Sequence, residues 1–456
     1  MQISGRLSAA IEILEDFDKR RVPLKTALAD WARSNRYAGA KDRAWISGLC
    51  LDVLRKKHSL AAAMGEDAPR AITIAALRFL WEFDAGRLEE VAAEEPHGPG
   101  ALSSDERKML SAVVTRETAS APCYAAEFET YITGIAPPAT HIAGNFPEWL
   151  TPQIERVFGD DAASIMAAFA SRADVDLRLN TLKAEPEKSL AALKKVKGEA
   201  APVLKTAARI AAPNPSERAP SVTVIPAFNK GWVEVQDLGS QIAAAASGEI
   251  KGAQVLDYCA GGGGKTLALA ALMENTGQLY AYDRDARRLK PLYDRAKRAG
   301  VRNLQVRSPA GDEGLDDLAG KMDVVFVDAP CTGAGTWRRH PDTKWRLTPQ
   351  QLERRMGEQD RVLREAARFV KTGGRLVWTT CSFLIEENED RLGAFLKELG
   401  GFGATSALDQ VRASGLLTPE GEDALRSCVT PDGALRLTPD KLRADGFYIA
   451  VLTKNS

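Results

Sequence analysis

The chain has 456 residues, enough for roughly two or three domains of ordinary size. Its 61 Lys and Arg residues balance its 61 Asp and Glu residues, so net charge does not indicate a nucleic-acid partner. Six cysteines without a CxxC pair and only four histidines argue against a disulfide framework or a metal site. Because there is no apolar N-terminal segment and no apolar run of 18 residues, we expect a cytoplasmic protein without a signal peptide or membrane span.

Residues 1–140 have the pattern of an all-α domain. Apolar residues recur at helical spacing within Leu7–Phe17, Ile46–Leu54 and Ile74–Trp81, and strand patterns are scarce. Taken alone, this pattern predicts a small helical bundle without indicating its purpose.

Residues 145–236 have the pattern of a small α+β module. Apolar side chains alternate with polar ones in Val175–Leu179, which predicts a half-buried strand. A helical stretch follows at Glu187–Lys197, and Val222–Pro226 is a second strand candidate beyond a loop rich in proline and serine. We therefore expect a separate module between the helical domain and the rest of the chain.

Residues 237–456 alternate between strand and helix patterns, which predicts an α/β domain with a mostly parallel sheet. The predicted strands are Gln254–Tyr258, Gln278–Tyr282, Asp323–Asp328, Arg375–Thr380 and Gly446–Thr453. The predicted helices are Gly239–Ala246, Thr266–Met273, Asp285–Ala299, Pro349–Val370 and Glu386–Glu398.

A glycine-rich loop follows the first of these strands. It comprises Cys259, Ala260, Gly261, Gly262, Gly263, Gly264 and Lys265. Glycines at this place let a ligand approach the backbone, and Asp283 at the end of the next strand could accept hydrogen bonds from ribose hydroxyls. A P-loop would need glycine where Cys259 stands, and the G-x-G-x-x-G spacing of NAD sites is absent. A purely structural turn stays open, and S-adenosylmethionine is the best remaining ligand.

Two cysteines follow the ends of two later strands. Cys331 lies three residues after Asp328, and Cys381 directly follows the predicted strand that ends at Thr380. The connection between them is long enough for a crossover helix, so both thiols should open at the same edge of the sheet. One cysteine at a strand end is commonly just buried, but two beside an aspartate and a glycine loop point to a reactive site.

Methylation of a pyrimidine carbon is one reaction that uses two thiols. A thiolate that adds to C6 of cytosine makes C5 nucleophilic enough to take a methyl group. A second thiol can then help to remove the C5 proton so that the first thiolate leaves.

The segments DAPCTGAGTWRRHPDTKW (328–345) and TTCSFLIEEN (379–388) closely resemble the Nop/Sun family of RNA 5-methylcytosine methyltransferases. The resemblance extends from about residue 146 to the C-terminus and implies a Rossmann-like class I methyltransferase fold. It implies that Cys381 is the nucleophile, that Cys331 assists product release, and that Asp328 faces cytosine and cofactor. It also implies that Cys259–Lys265, Asp283 and Asp328 bind S-adenosyl-L-methionine, with no metal.

This chain departs from the family in two places. The family loop usually reads CAAPGGKT, so Gly262 replaces a proline and should make the loop more flexible. The family also often carries an acid after the third strand that binds adenine, and Asp312 is a weak candidate for it.

Basic and aromatic residues suggest an RNA partner. Arg338, Arg339 and Lys344 lie between Trp337 and Trp345, where cations and rings could hold phosphates and bases. The basic run Arg284–Arg298 is more simply a solvated helix face.

The N-terminal segment 36–55 resembles the NusB-like RNA-binding domains of bacterial small-subunit rRNA methyltransferases, and the middle module resembles the family's RNA-binding extension. We therefore expect an RNA cytosine-C5 methyltransferase acting on small-subunit rRNA. A tRNA methyltransferase and a non-catalytic ribosome-assembly factor are the alternatives.

Overall fold

The computed structural model describes residues 1–112, 138–215, 217, 221–309 and 314–455. Its internal contacts divide the chain into two compact units. The helical unit comprises Met1–Arg172, Pro213–Ala219 and Trp337–Leu347, and the α/β unit comprises Ala173–Ala212, Pro220–Thr336 and Thr348–Ser456. These boundaries differ from the three predicted ones, because the helices after residue 145 and a segment beyond Cys331 belong to the helical unit.

The predicted N-terminal helical region is confirmed over residues 1–112. Its α-helices are Ile3–Arg20, Leu24–Ser34, Ala40–Arg55, Lys57–Met64, Pro69–Phe79, Ala85–Ala93 and Ser104–Ala112. The unit continues with Thr140–Ala143, Thr151–Phe158, Ala162–Phe169 and Pro341–Arg346. One apolar cluster forms its core, with fully buried side chains such as Leu7, Leu49 and Leu77 from the first, third and fifth helices. The predicted helical domain also includes residues 113–137, which lie outside the described residues.

The segment Trp337–Leu347 is built into the helical unit. The Lys344 ammonium donates to the Arg55 carbonyl at 3.0 Å, and the Trp345 indole donates to the Leu54 carbonyl at 2.6 Å. The Arg338 carbonyl accepts from the Arg55 guanidinium at 2.9 Å. Lys344 is 1% exposed and Arg338 is 3% exposed, so this segment serves the packing of the helical unit.

Two sheets lie in the α/β unit. The smaller one is antiparallel and has the strand order β2-β3-β1-β4, with β1 Val175–Leu179, β2 Gly198–Ala200, β3 Ala207–Ile210 and β4 Val233–Val235. The helix Pro186–Leu193 follows β1, as predicted. The strand predicted over Val222–Pro226 is wrong, since Val222–Val224 forms a 3-10 turn and Pro226 begins the short helix Pro226–Asn229. Proline favours the first turn of a helix because its ring fixes φ and it lacks an N–H group.

The larger sheet has eight strands in the order β10-β12-β9-β8-β5-β6-β7, with β11 paired to β12. Its strands are β5 Gln254–Asp257, β6 Gln278–Tyr282, β7 Leu304–Arg307, β8 Met322–Asp328, β9 Val370–Thr380, β10 Phe402–Thr405, β11 Leu435–Leu437 and β12 Phe447–Lys454. Strands β5 to β9 pair in parallel, while β10, β11 and β12 are antiparallel additions at one edge. This arrangement confirms the predicted Rossmann-like, mostly parallel fold.

The helices of the α/β unit agree with the predicted alternation. Those not given above are Leu238–Ala245, Gly264–Leu272, Ala286–Ala299, Pro349–Ala367, Glu389–Leu399, Ala407–Ala413, Pro419–Arg426 and Pro439–Leu442. The helix that begins at Pro349 ends three residues before Val370, which is the first residue of β9. The apolar residues near that boundary fit either element, so periodicity alone misplaced it.

Among the described helices, none combines the length and the apolar character needed to cross a bilayer.

Asp52 is the buried electrostatic centre of the helical unit. Its carboxylate accepts from Arg55 Nη1 at 2.6 Å, from Arg172 Nε at 3.0 Å and from the Trp81 indole at 2.9 Å. The Asp52 side chain is only 6% exposed. Removing it would leave two guanidinium groups without this partner in a poorly solvated site.

We therefore expect Asp52→Ala to lower the free energy of unfolding by about 3–5 kcal/mol. The matched control is Asp16→Ala, which breaks an ion pair with Arg20 whose partners are both 38% exposed. That loss should be only about 0–1 kcal/mol. Denaturant unfolding of both variants checks the prediction, and equal losses would contradict it.

Candidate active site

The ends of β8 and β9 bring the two predicted cysteines together. These strands are parallel neighbours, with Asp328 paired to Thr379 at their carboxyl ends. Cys331 and Cys381 follow those ends, and their sulfur atoms lie 3.4 Å apart. The predicted pair of thiols is therefore a single site.

Backbone hydrogen bonds hold the two cysteine loops in place. Ala329 N–H donates to the Thr379 carbonyl at 2.8 Å, and Gly335 N–H donates to the Cys381 carbonyl at 2.9 Å. A Cβ atom on Gly335 would lie 2.0 Å from the Gly446 carbonyl oxygen, so only glycine permits this approach.

The two thiols are not equivalent. The hydrogen bond with Cys381 raises the pKa of Cys331 well above its ordinary value, and burial adds to the effect. The charges of Glu387 and Asp328 act in the same direction. The raised pKa means that Cys331 holds its proton more firmly than an ordinary thiol.

Lys265 places a positive charge beside this site. Its ammonium donates to the Asp328 carboxylate at 2.8 Å. Burial alone would lower the pKa of Lys265, but the charges of Asp328 and Cys381 outweigh burial and raise it. Lys265 therefore keeps its proton and is a fixed cation at this site.

The glycine loop and Asp283 also come together. Gly261 N–H donates to the Asp283 carboxylate at 3.0 Å, and Gly261 and Gly263 both have positive φ angles, of 51° and 84°. Arg295 donates to the Gly262 carbonyl at 2.6 Å. This bond anchors the loop where the expected proline is missing, so the flexibility expected from Gly262 is opposed by the neighbouring helix.

Burial strongly raises the pKa of one further acid, which lies at the end of β5. Asp257 is fully buried and accepts from the Thr266 hydroxyl at 2.6 Å. Burial raises its pKa to about 7, and the charges of Asp328 and Asp283 add to that rise.

Comparison with known proteins shows which family has this architecture. The family model "16S rRNA methyltransferase RsmB/F" matches residues 248–453, and the model of its ferredoxin-like domain matches residues 146–217. A Synechocystis protein named probable ribosomal RNA small subunit methyltransferase B is 31% identical over 318 residues, covering 68% of this chain and 67% of that protein. The chain belongs to the RsmB/F, or Nop/Sun, family of rRNA methyltransferases.

Other similarities extend over the whole chain. A ribosomal RNA small subunit methyltransferase B of Xanthomonas campestris pv. campestris is 29% identical over 465 residues, covering 100% of this chain and 98% of that protein. The solved structure of PH0851 has a TM-score of 0.67 at 24% identity, covering 100% and 99% of the two chains. The structure of NSun6 from Pyrococcus horikoshii with SFG has a TM-score of 0.57 at 23% identity, covering 68% and 99%. At these identities the two structures support the fold alone.

Within this RsmB/F family member, two predicted RNA contacts need correction. Arg338 and Lys344 are buried and hydrogen-bonded within the helical unit, so they do not present charge to RNA. Their alternation with tryptophans resembled an RNA-binding surface but reflects packing. Arg339 is half-buried, and its role in RNA binding stays a prediction.

Other predictions concern residues near the glycine loop. Arg288 pairs with Asp283 at 3.1 Å, and Arg298 pairs with Glu234, so part of the basic run makes internal ion pairs. Asp312 lies outside the described residues. Across the described ranges, no group of three His, Cys, Asp or Glu side chains is placed to hold a metal ion.

The sequence does not single out four buried polar residues that lie near the thiols or the glycine loop. They are Asp257, Gln359, Glu387 and Asn388, all of them 0% exposed. The segment EEN after the second cysteine was a possible signal for two of them, but it was interpreted as the start of a helix.

The raised pKa of Asp257 predicts a pH-dependent effect of Asp257→Asn. Between its ordinary value of 3.8 and about 7, native Asp257 holds a proton that the unfolded chain releases. The contribution of Asp257 to the free energy of unfolding of the wild type is therefore largest at low pH. It falls as pH rises through that range. Asp257→Asn should thus gain stability relative to wild type between about pH 5 and pH 7 in denaturant unfolding.

Asp323→Asn is the control for this prediction. The Gln254 N–H and Lys371 lower the pKa of Asp323 despite the opposing effect of burial. Its stabilisation is present above 3.8 and is lost only as pH falls below that value. The cost of Asp323→Asn should therefore stay constant over the same interval, and parallel behaviour of the two variants would contradict the assignment.

Proposed function

We propose that this chain is an S-adenosylmethionine-dependent RNA cytosine-C5 methyltransferase that acts on small-subunit rRNA through a covalent bond between Cys381 and the base. The observation that carries the proposal is the pair of inequivalent thiols, 3.4 Å apart at the carboxyl ends of two parallel strands. Ligands of open α/β sheets bind at this edge.

The names of the relatives support the substrate. The two curated relatives are named small-subunit rRNA methyltransferases, and the matched family model is described as a 16S rRNA methyltransferase. This favours rRNA over the tRNA alternative. The presence of both thiols, together with a cation beside them, argues against a non-catalytic assembly factor.

The glycine loop and Asp283 fit S-adenosylmethionine. Asp283 directly follows β6, and its carboxylate is held against the loop by Gly261 N–H, where it can also accept from ribose hydroxyls. The related NSun6 structure contains SFG, an analogue of this cofactor. We propose Cys259–Lys265, Asp283 and Asp328 as the residues that hold it, and when bound it supplies the methyl group as a sulfonium methyl.

The chain's own residues account for the other steps. Cys381 adds as the thiolate to C6 of the cytosine, while an acid protonates N3, and Asp328, which holds Lys265, faces the base. C5 then takes the methyl group. Cys331, after losing its own proton to solvent, accepts the proton from C5. The bond between C6 and Cys381 breaks, N3 returns its proton to the acid, and the Cys381 thiolate is regenerated.

The asymmetry of the thiol pair fits this order of events. In the free enzyme the hydrogen bond to Cys381 is the main cause that keeps the proton on Cys331. Once Cys381 is bonded to carbon, its sulfur carries no negative charge, so that cause disappears. Cys331 can then lose its proton and act as a base only after addition has occurred.

The two cysteines should give opposite results when they are replaced. Cys381→Ala should abolish methyl transfer while leaving cofactor binding intact, because its bond is made to RNA. Cys331→Ser should allow addition and methylation but block proton removal, so a methylated RNA–protein adduct accumulates on a denaturing gel.

The adduct should require both RNA and cofactor, and it should vanish in the double variant Cys331→Ser, Cys381→Ala. Normal turnover of Cys331→Ser without an adduct would refute the division of roles. Substantial activity of Cys381→Ala would refute the nucleophile.

Asp283→Ala should weaken cofactor binding and leave RNA affinity unchanged. Losing a hydrogen bond to a charged acceptor costs roughly 1.5–3 kcal/mol, or about 10- to 150-fold in affinity. Calorimetric titration measures the effect, with Asp285→Ala as control because the Asp285 carboxylate is bonded to the exposed Arg287. Equal losses in both variants would contradict the proposed contact.

A further inference from the structure

Two adjacent buried residues hold the backbone on both sides of each thiol. Glu387 and Asn388 lie in the turn between β9 and the helix Glu389–Leu399, and both are 0% exposed. No catalytic step described above uses either side chain.

Glu387 acts on the loop that carries Cys331. Its carboxylate accepts from Thr332 N–H at 2.8 Å and from the Thr332 hydroxyl at 2.6 Å. It also accepts from Gln359 Nε2 at 3.0 Å, and the same Gln359 nitrogen donates to the Pro330 carbonyl at 2.9 Å. The residues before and after Cys331 are thus both tied to Glu387.

Asn388 acts on the loop that carries Cys381. Its Oδ1 accepts from the Thr380 hydroxyl at 2.7 Å, and its Nδ2 donates to the Ser382 carbonyl at 3.0 Å. A further bond from Nδ2 reaches the Leu384 carbonyl at 2.8 Å. The residues before and after Cys381 are therefore both tied to Asn388.

One peptide bond joins the two sets of contacts, so the relative position of the two loops depends on this dipeptide. Burial raises the pKa of Glu387, while the bonds from Ser382 and Thr332 oppose that rise. These donors therefore stabilise the charged form of the Glu387 carboxyl group, and that carboxyl group in turn holds the loop in place.

We propose that Glu387 and Asn388 are positioning residues with separate duties, in which Glu387 places Cys331 for proton removal and Asn388 places Cys381 for addition to the base. The proposal rests on the roles of the two cysteines given under Proposed function. Misplacing a reacting group by about 1 Å can cost roughly 100-fold in rate, so loosening either loop should slow only the step that its cysteine performs.

The threonines beside the cysteines provide a matched pair of tests. Thr332→Val and Thr380→Val each remove one hydroxyl while keeping the branched shape of the side chain. Thr332→Val should keep the first turnover close to wild type but slow later turnovers by about 10- to 100-fold, with methylated adduct on a denaturing gel. Thr380→Val should slow the first turnover by about 10- to 100-fold and accumulate no adduct.

Glu387→Gln and Asn388→Ala should reproduce these two patterns respectively. Glu398→Gln is the control, since Glu398 lies in the next helix and pairs with exposed Arg364. It should behave as wild type. Melting temperature and cofactor affinity are measured for every variant, because a merely structural role would change stability without separating the first turnover from the later ones.

Cys331→Ser is assayed in parallel so that the two proposals can fail separately. If Cys331→Ser traps RNA but Thr332→Val and Glu387→Gln turn over without adduct, Glu387 does not position Cys331. If the Thr332 and Thr380 variants show the same defect, the separate duties are refuted. If Cys331→Ser traps nothing, the proposed roles of the cysteines fail, and this inference fails with them.

Discussion

The parallel pairing of β8 with β9 is the constraint on which the proposed chemistry depends. Neighbouring strands lie about 4.8 Å apart, so residues that follow their carboxyl ends can come into contact. Here the pairing of Asp328 with Thr379 brings the Cys331 and Cys381 sulfur atoms to 3.4 Å. A shift of one residue in this register would turn alternate side chains to the other face of the sheet and separate the pair.

Electrostatics gives the two identical side chains different properties. Cys331 keeps its proton because of its bond to Cys381, while Lys265 supplies a positive charge that interacts with Cys381. Asp328 holds the Lys265 ammonium in place. Burial is the largest cause of the raised pKa of Asp257, and the charge of Asp328 adds to it, so this buried acid at the end of β5 interacts with the same carboxylate that orients Lys265.

The segment after Cys331 shows how composition can mislead about function. Arg338 and Lys344 alternate with tryptophans, a pattern that fits a surface for phosphates and stacked bases. In the structure both cations are buried and bonded to backbone carbonyls of the helical unit. Long basic side chains have apolar stems that can pack against other residues, and their charged groups can bond to carbonyls, so the pattern by itself did not discriminate between these outcomes.

Local patterns in the sequence were enough to predict the parallel sheet, the glycine loop near Asp283 and the meeting of Cys331 with Cys381. These features depend on strand order and on what directly follows each strand, which alternation of elements reveals. The sequence did not reveal the short additional strands, the boundaries of the two units or the contacts of Glu387 and Asn388. These features depend on which distant segments pack together, and burial and pKa values depend on the same packing. Only the tertiary structure therefore decided which polar residues support the thiols and which cations are buried.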